Sequence, residues 1–179
     1  MSPEKPDATA YYPPMLRTLL LVNLTATVFM TGLIWFVQIV HYPLFDGVAA
    51  AEFTGYEARH TRATSWVVGP AMAVELITAV GLVLCSRSTQ SREVGGSTLI
   101  PALPAWVGLA MVGLLALVTL TLSWPQHVRL TRGYDADAHR LLVSTNWLRT
   151  ALWTGRSLLV GWMVYRLLPT PARVAGAKP

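Results

Sequence analysis

The chain has 179 residues, of which 53% are hydrophobic and 13% charged, and its formal net charge is +5. A soluble domain carries about 25% charged residues; here the deficit falls in four long apolar runs, which excludes an ordinary soluble protein and points to an integral membrane protein. The positive balance does not signal nucleic acid, because no basic helix, zinc pattern or aromatic-basic platform accompanies it, and arginines near the ends of apolar runs meet lipid headgroups instead.

Residues 1–15, MSPEKPDATAYYPPM, are polar and proline-rich and predict a disordered segment. They do not begin like a signal peptide, so the first apolar run is expected to stay as an anchor. That run extends from Leu16 to Val40 and stops near Pro43, since proline lacks an amide donor and restricts the residue before it. Asn23, Thr27, Ile34, Gln38 and His41 form one stripe along it. In the connector 44–63, Ala49, Phe53, Tyr56 and His60 share a helical face, with Glu52, Glu57 and Arg59 toward water. This pattern predicts a short amphipathic helix at the membrane interface.

The second span runs from Thr64 to Leu84 and contains Pro70 and Glu75. Residues 85–99, CSRSTQSREVGGSTL, read as a polar loop, and Cys85, the single cysteine, rules out an internal disulfide. A third span covers Leu103 to Trp124, followed by Pro125 and His127. Gly133 marks a turn and Asp135 a helix cap ahead of the fourth span, Ser144 to Leu168, which Pro169 terminates. Each run is around 20 residues or more, which suits a hydrocarbon layer of about 30 Å at about 1.5 Å rise per residue. The expected fold is an all-α, four-transmembrane-helix bundle over 16–168 with a flexible tail over 169–179.

An even number of spans places both termini on one side. That side holds Lys5, Arg17, Arg87, Arg92, Arg166, Arg173 and Lys178, against Arg59, Arg62, Arg129, Arg132 and Arg140 on the other. The positive-inside rule therefore predicts a multi-pass protein of the cell inner (plasma) membrane with both termini cytoplasmic. Trp66, Trp124 and Trp147 at the outer side, with Trp106 at the inner, fit aromatic belts.

Asn146, Arg149, Trp153 and Arg156 are spaced by three, four and three residues, so they share one helix face, and His139 lies seven residues before Asn146. This polar seam must look into the bundle, because an unpaired charge in lipid costs several kcal/mol. Glu75, at matching depth on the second span, is the expected partner of Arg156.

All four histidines, His41, His60, His127 and His139, collect at the outer mouth, one from each span or its approach. Imidazoles so placed suit a transition metal (iron, copper or zinc) or haem, acid–base chemistry near neutral pH, or structural hydrogen bonding. No HExxH pair selects among these. For a metal, Glu57 offers an oxygen three residues before His60, with Glu52 and Asp46 as further carboxylates. Tyr42 is expected at the interface beside Pro43, closing the mouth. The candidate catalytic set is His41, His60, His127, His139, Asn146 and Arg149, the last two holding a polar group of a substrate.

The stretches LIWFVQIVHYPLF, FTGYEARHTRATSWVVGPAMAVELITA, WPQHVRL and TNWLRTALWTGR resemble a broad group of uncharacterised bacterial four-helix integral membrane proteins over roughly residues 20–165. More distantly the chain looks like the anthrone-oxygenase-like membrane family, whose members include oxidases of polycyclic aromatic intermediates. That likeness lies in four helices, a proline at the exit of the third and an Asn/Trp/Arg-bearing fourth, and it implies the fold without assigning residue roles.

Two functions follow as expectations. One is a membrane-embedded oxidoreductase or oxygenase acting on a lipophilic small molecule. The other is a non-enzymatic metal- or haem-binding partner subunit or small transporter component. Membrane lipid and a homo-oligomeric partner fit either reading; nucleic acid fits neither.

Overall fold

A computed structural model describes residues 14–87 and 102–167. Of the predicted segments, residues 1–13 of the N-terminal stretch, 88–99 of the polar loop, Leu168 and the tail over 169–179 lie outside the described residues. Pro14 and Met15, expected in the disordered segment, already belong to the first helix. Proline is tolerated there because the first helical amides have no intrahelical acceptor.

Helix α1 spans Pro14–Phe36 and continues through a π-helical turn, Val37–His41, into a 3-10 turn, Pro43–Gly47. Helix α2 is one continuous 38-residue helix, Ala50–Arg87, with Pro70 in its interior. Helix α3, Ala102–Val118, passes through a second π turn, Thr119–Ser123, into the short α4, Trp124–Leu130. Helix α5 spans Ala136–Tyr165. Its cap is the predicted one. Asp135 accepts from the amides of Asp137 and Ala138 at 3.0 Å, and Gly133 takes the positive φ of 141° that the preceding turn requires. The Ala138 amide first, and then the Arg129 guanidinium at 2.6 Å, hold the Asp135 carboxyl below the usual carboxylate range.

The two π turns share a local cause. Each ends two residues before a proline, Pro43 or Pro125, which cannot donate to the preceding turn and crowds its carbonyl. Widening that turn relieves the conflict. The Tyr42 amide reaches back five residues to the Val37 carbonyl at 3.0 Å, and the Trp124 amide likewise to Thr119.

The helices form a four-cornered bundle in which α1 and α3 each pack against both α2 and α5. The segments Pro14–Gly47, Ala50–Arg87 and Ala102–Leu130 are each long and apolar enough to cross a membrane, making this an all-α, multi-pass membrane protein. Large apolar side chains such as Leu21, Ile77, Leu103, Leu120 and Leu158 are exposed around the outside, as lipid contact requires.

The predicted interfacial helix is not a separate element. Its residues form the first turns of α2, because nothing between Ala50 and Thr64 breaks the hydrogen-bond ladder. Ala49 precedes the helix and is exposed. Glu57, expected toward water, is fully buried. It lies with His60 and Thr64 on the face that continues to Ala71 and Glu75.

Along α5, His139, Leu142, Asn146, Arg149, Trp153, Arg156, Val160 and Met163 are all buried, alternating three and four residues apart as in a coiled-coil seam. Two apolar clusters fill the bundle, one around Met30, Phe45, Leu115 and Trp153, the other around Leu20, Leu82, Ala105 and Met163.

Arg156 ties all four helices together. Its Nε donates to Glu75 Oε1 of α2 at 3.2 Å and its Nη2 to Asn23 Oδ1 of α1 at 3.2 Å. Its Nη1 donates to the Gly108 carbonyl of α3, where a larger residue would meet the guanidinium. Trp153 Nε1 donates to Glu75 Oε2 at 3.0 Å, and Asn23 Nδ2 to Thr78 Oγ1 at 2.6 Å. The expected Glu75–Arg156 pair is thus present, with both residues 2% exposed or less.

Replacing either partner alone, Glu75→Gln or Arg156→Leu, should lower the unfolding free energy by about 3–5 kcal/mol, since it strands a buried polar group. Gly108→Val should lower it in the same direction. Thermal unfolding in detergent checks each, and a double-mutant cycle for Glu75 and Arg156 should give a coupling well above zero.

Candidate functional site

At the opposite end of the bundle from the Leu20 cluster, side chains from α2, α4 and α5 converge on Tyr42. The residue follows the first π turn and is 3% exposed, so it lies in the core and not at the interface the sequence suggested. Arg149 Nη2 donates to its hydroxyl oxygen at 3.1 Å, and that hydroxyl lies 3.1 Å from His127 Nε2. His127 Nδ1 lies 2.6 Å from Glu57 Oε1.

Donor inventory sets the direction of this chain. A guanidinium only donates and a carboxylate only accepts. A neutral His127 therefore gives its Nδ1 hydrogen to Glu57, and its Nε2 accepts the hydroxyl hydrogen of Tyr42.

A second branch orients Arg149. Its Nε donates to Asn146 Oδ1 at 2.9 Å and its Nη2 donates to the same oxygen. Asn146 Nδ2 in turn donates to Gln38 Oε1 at 2.8 Å. Asn146 is fully buried and Arg149 is 8% exposed.

His60 lies beside this chain on α2, with its Nδ1 2.8 Å from His41 Nε2 and 3.2 Å from Thr64 Oγ1. One ligand atom from each of Glu57, His60 and His127 lies within 4.8 Å of the other two, a separation one metal ion can bridge. The Glu57 carboxylate has only one oxygen occupied: Oε2 is buried and makes no hydrogen bond among the described residues. A buried acceptor left this way is costly.

Tyr42, His60, His127 and Arg149 form the polar end of a cavity of about 130 Å³, and Glu57 lies behind His127, outside its lining. Met30, Ile34, Val37, Val68 and Trp153 supply its apolar wall, while Ser65 and Trp124, both exposed, frame its mouth. Thr119 and Ser123 of the second π turn also line it, and the Oγ1 of one and Oγ of the other are buried without a partner among the described residues. π turns recur at functional sites because the extra residue redirects side chains.

The histidines expected at one mouth do gather at one end of the bundle, in different surroundings. His60 and His127 join Glu57, and His41 stands behind His60, half-buried. His139 stands outside this group. Its Nε2 donates to the Tyr42 carbonyl at 2.7 Å, which leaves Nδ1 to accept from the Tyr134 hydroxyl at 3.2 Å, and its ring stacks on Phe45. His139 therefore fastens the 3-10 turn to α5. Asp46 and Glu52 are exposed and away from the three-residue group.

Sequence reasoning missed the central position of Tyr42 and the two cavity hydroxyls. The usable signal was the paired pattern of an aromatic residue directly before each proline, His41-Tyr42-Pro43 and Ser123-Trp124-Pro125.

Comparison with protein families, curated proteins and solved structures finds no match to this chain. In metal-free protein labelled with ¹⁵N at the imidazoles, His127 should report the Nδ1–H tautomer and His139 the Nε2–H tautomer. An Nε2–H signal for neutral His127 would reverse the hydrogen-bond chain described above. Tyr42→Phe should cost about 1–3 kcal/mol of stability by leaving Arg149 and His127 short of a partner, as read by thermal unfolding.

Proposed function

We propose that this protein is a membrane-embedded metalloprotein with oxidoreductase or oxygenase activity on a lipophilic small molecule. The metal is held by Glu57, His60 and His127, and the substrate lies in the adjoining cavity. The observation that carries this reading is the three-residue donor group, two of whose members, His60 and His127, line the polar end of an apolar cavity, while Glu57 behind them keeps one oxygen without a partner among the described residues.

Two imidazoles and one carboxylate are the donor set of non-haem iron oxygenases, which keep coordination positions open, and also of some catalytic zinc sites. A wall of apolar side chains beside the donors favours an oxidisable hydrocarbon over a hydrolysable polar bond. Haem does not fit: about 130 Å³ compares with the roughly 150 Å³ that holds benzene, and a porphyrin is several times larger. When bound, an iron of this type supplies oxygen activation or electron transfer.

The chain's own residues prepare the site. With the proton of His60 on Nδ1, directed at His41 Nε2, its Nε2 is free as a ligand atom. A metal would take His127 Nδ1 in place of the proton given to Glu57; the ring proton would then lie on Nε2, where the Tyr42 oxygen, held by Arg149, accepts it and fixes the ring plane. Glu57 brings the negative charge that a divalent ion requires.

In the bilayer, α5 forms the fourth crossing. Its seam faces inward while Leu141, Leu148 and Leu158 face out, and the balance of arginines and lysines along the sequence supports an inner-membrane protein with both termini cytoplasmic.

Elemental analysis of the purified protein should find about one transition-metal ion per chain, with iron expected. Glu57→Gln and His60→Ala should each empty the site, whereas His139→Ala should retain the metal. His41→Ala should weaken binding by about 10–100-fold through loss of ring orientation. Equal metal content in all four variants would end the assignment.

A further inference from the structure

Arg149 and Arg156 occupy the same seam of α5 but differ in how their charge is met. Arg156 has the Glu75 carboxylate at 3.2 Å. Arg149, only 8% exposed, has no carboxylate partner among the described residues, and its bonds go to the neutral oxygens of Asn146 and Tyr42. Its Nη1 makes no hydrogen bond among those residues. A buried guanidinium so placed is an open demand for an anion, because desolvation is offset only by an opposite charge or a full set of acceptors.

Two further observations place that anion in the cavity. Arg149 lines it, and so do Ser123 and Thr119, whose hydroxyls lack partners among the described residues. Ser123 is 1% exposed, so water does not readily satisfy it. The remaining wall is apolar.

We infer that the cavity accepts a lipophilic monoanion, an aliphatic carboxylic acid. Its carboxylate takes the free edge of Arg149 and the hydroxyls of Ser123 and Thr119. Its chain lies along Met30, Ile34 and Val37 and leaves through the mouth between Ser65 and Trp124. A neutral ligand answers the hydroxyls but leaves the guanidinium uncompensated. A phosphate dianion brings a second charge, and among the described residues Arg149 is the only arginine or lysine lining the cavity. At about 130 Å³, near the size that holds a benzene ring, the cavity admits the headgroup and first carbons, so the rest of a long chain extends toward the bilayer. This inference rests on the cavity being the substrate site and names the class of molecule it takes.

Native mass spectrometry of the full chain in a neutral detergent, with laurate, methyl laurate and dodecyl phosphate as probes, tests it. Laurate should bind once per chain, with methyl laurate and dodecyl phosphate at least about tenfold weaker, the scale of a lost charge-assisted bond. Arg149→Gln should lower laurate affinity by at least about tenfold and abolish the preference for acid over ester. Ser123→Ala removes a hydroxyl that makes no hydrogen bond among the described residues, so it should fold normally and weaken laurate by about fivefold; it carries the test if Arg149→Gln does not fold. Methyl laurate or dodecyl phosphate binding as tightly as laurate overturns the inference, as does undiminished laurate binding in the folded variants. Metal content in the same samples separates the two readings. Bound metal without laurate binding leaves the metal centre and ends this inference, while laurate binding to metal-free protein supports it and ends the metal centre.

Discussion

A guanidinium enclosed by apolar helices has to be surrounded by acceptors, and the bundle is arranged around that demand. Arg156 reaches α1 through Asn23, α2 through Glu75 and α3 through the Gly108 carbonyl, so one side chain fixes three neighbours relative to α5. The apolar clusters on either side contribute packing, but in a bilayer they contribute little specificity, because lipid tails are as apolar as leucine. Polar contacts carry the register. Glu75 is shared between Arg156 and the Trp153 indole, which removes both of its oxygens from any unsatisfied state.

Trp153 connects this layer to the one above it. Its N–H closes the Glu75 network while its ring forms part of the cavity wall. The upper layer follows the same logic, with groups from α2, α4 and α5 meeting at Tyr42, but it closes incompletely. Glu57 Oε2, Ser123 Oγ and Thr119 Oγ1 have no protein partner among the described residues. The contrast is informative. A structural polar layer satisfies every atom, as the lower one nearly does, whereas a layer that leaves a carboxylate oxygen, hydroxyls and a guanidinium edge open has places for something else.

The two prolines explain how the upper layer is assembled. Both α1 and α3 run straight through the lower layer, then widen by one residue before Pro43 and Pro125. The widened turns swing Tyr42 inward and carry α4 so that His127 faces Glu57. Without that extra residue in each helix, the side chains beyond it would point about 100° away, since each residue advances an α-helix by that angle.

Much of the lower layer was legible in the sequence. The alternation of three and four along α5, the depth match between Glu75 and Arg156 and the Asp135 cap depend on helical rise, helical period and a local turn, which any regular helix shares. The convergence of the histidines at one end also follows from counting residues along each span. What the counting could not supply was rotation about each helix axis. It placed Glu57 toward water, ended a helix before Thr64 and set Tyr42 at the interface, because it assumed unbroken 3.6-residue turns and took a change in composition for a boundary. Two π turns and an uninterrupted α2 altered those rotations. Which imidazoles meet Glu57, and which one only braces a turn, was therefore decided by how four helices pack around a buried charge.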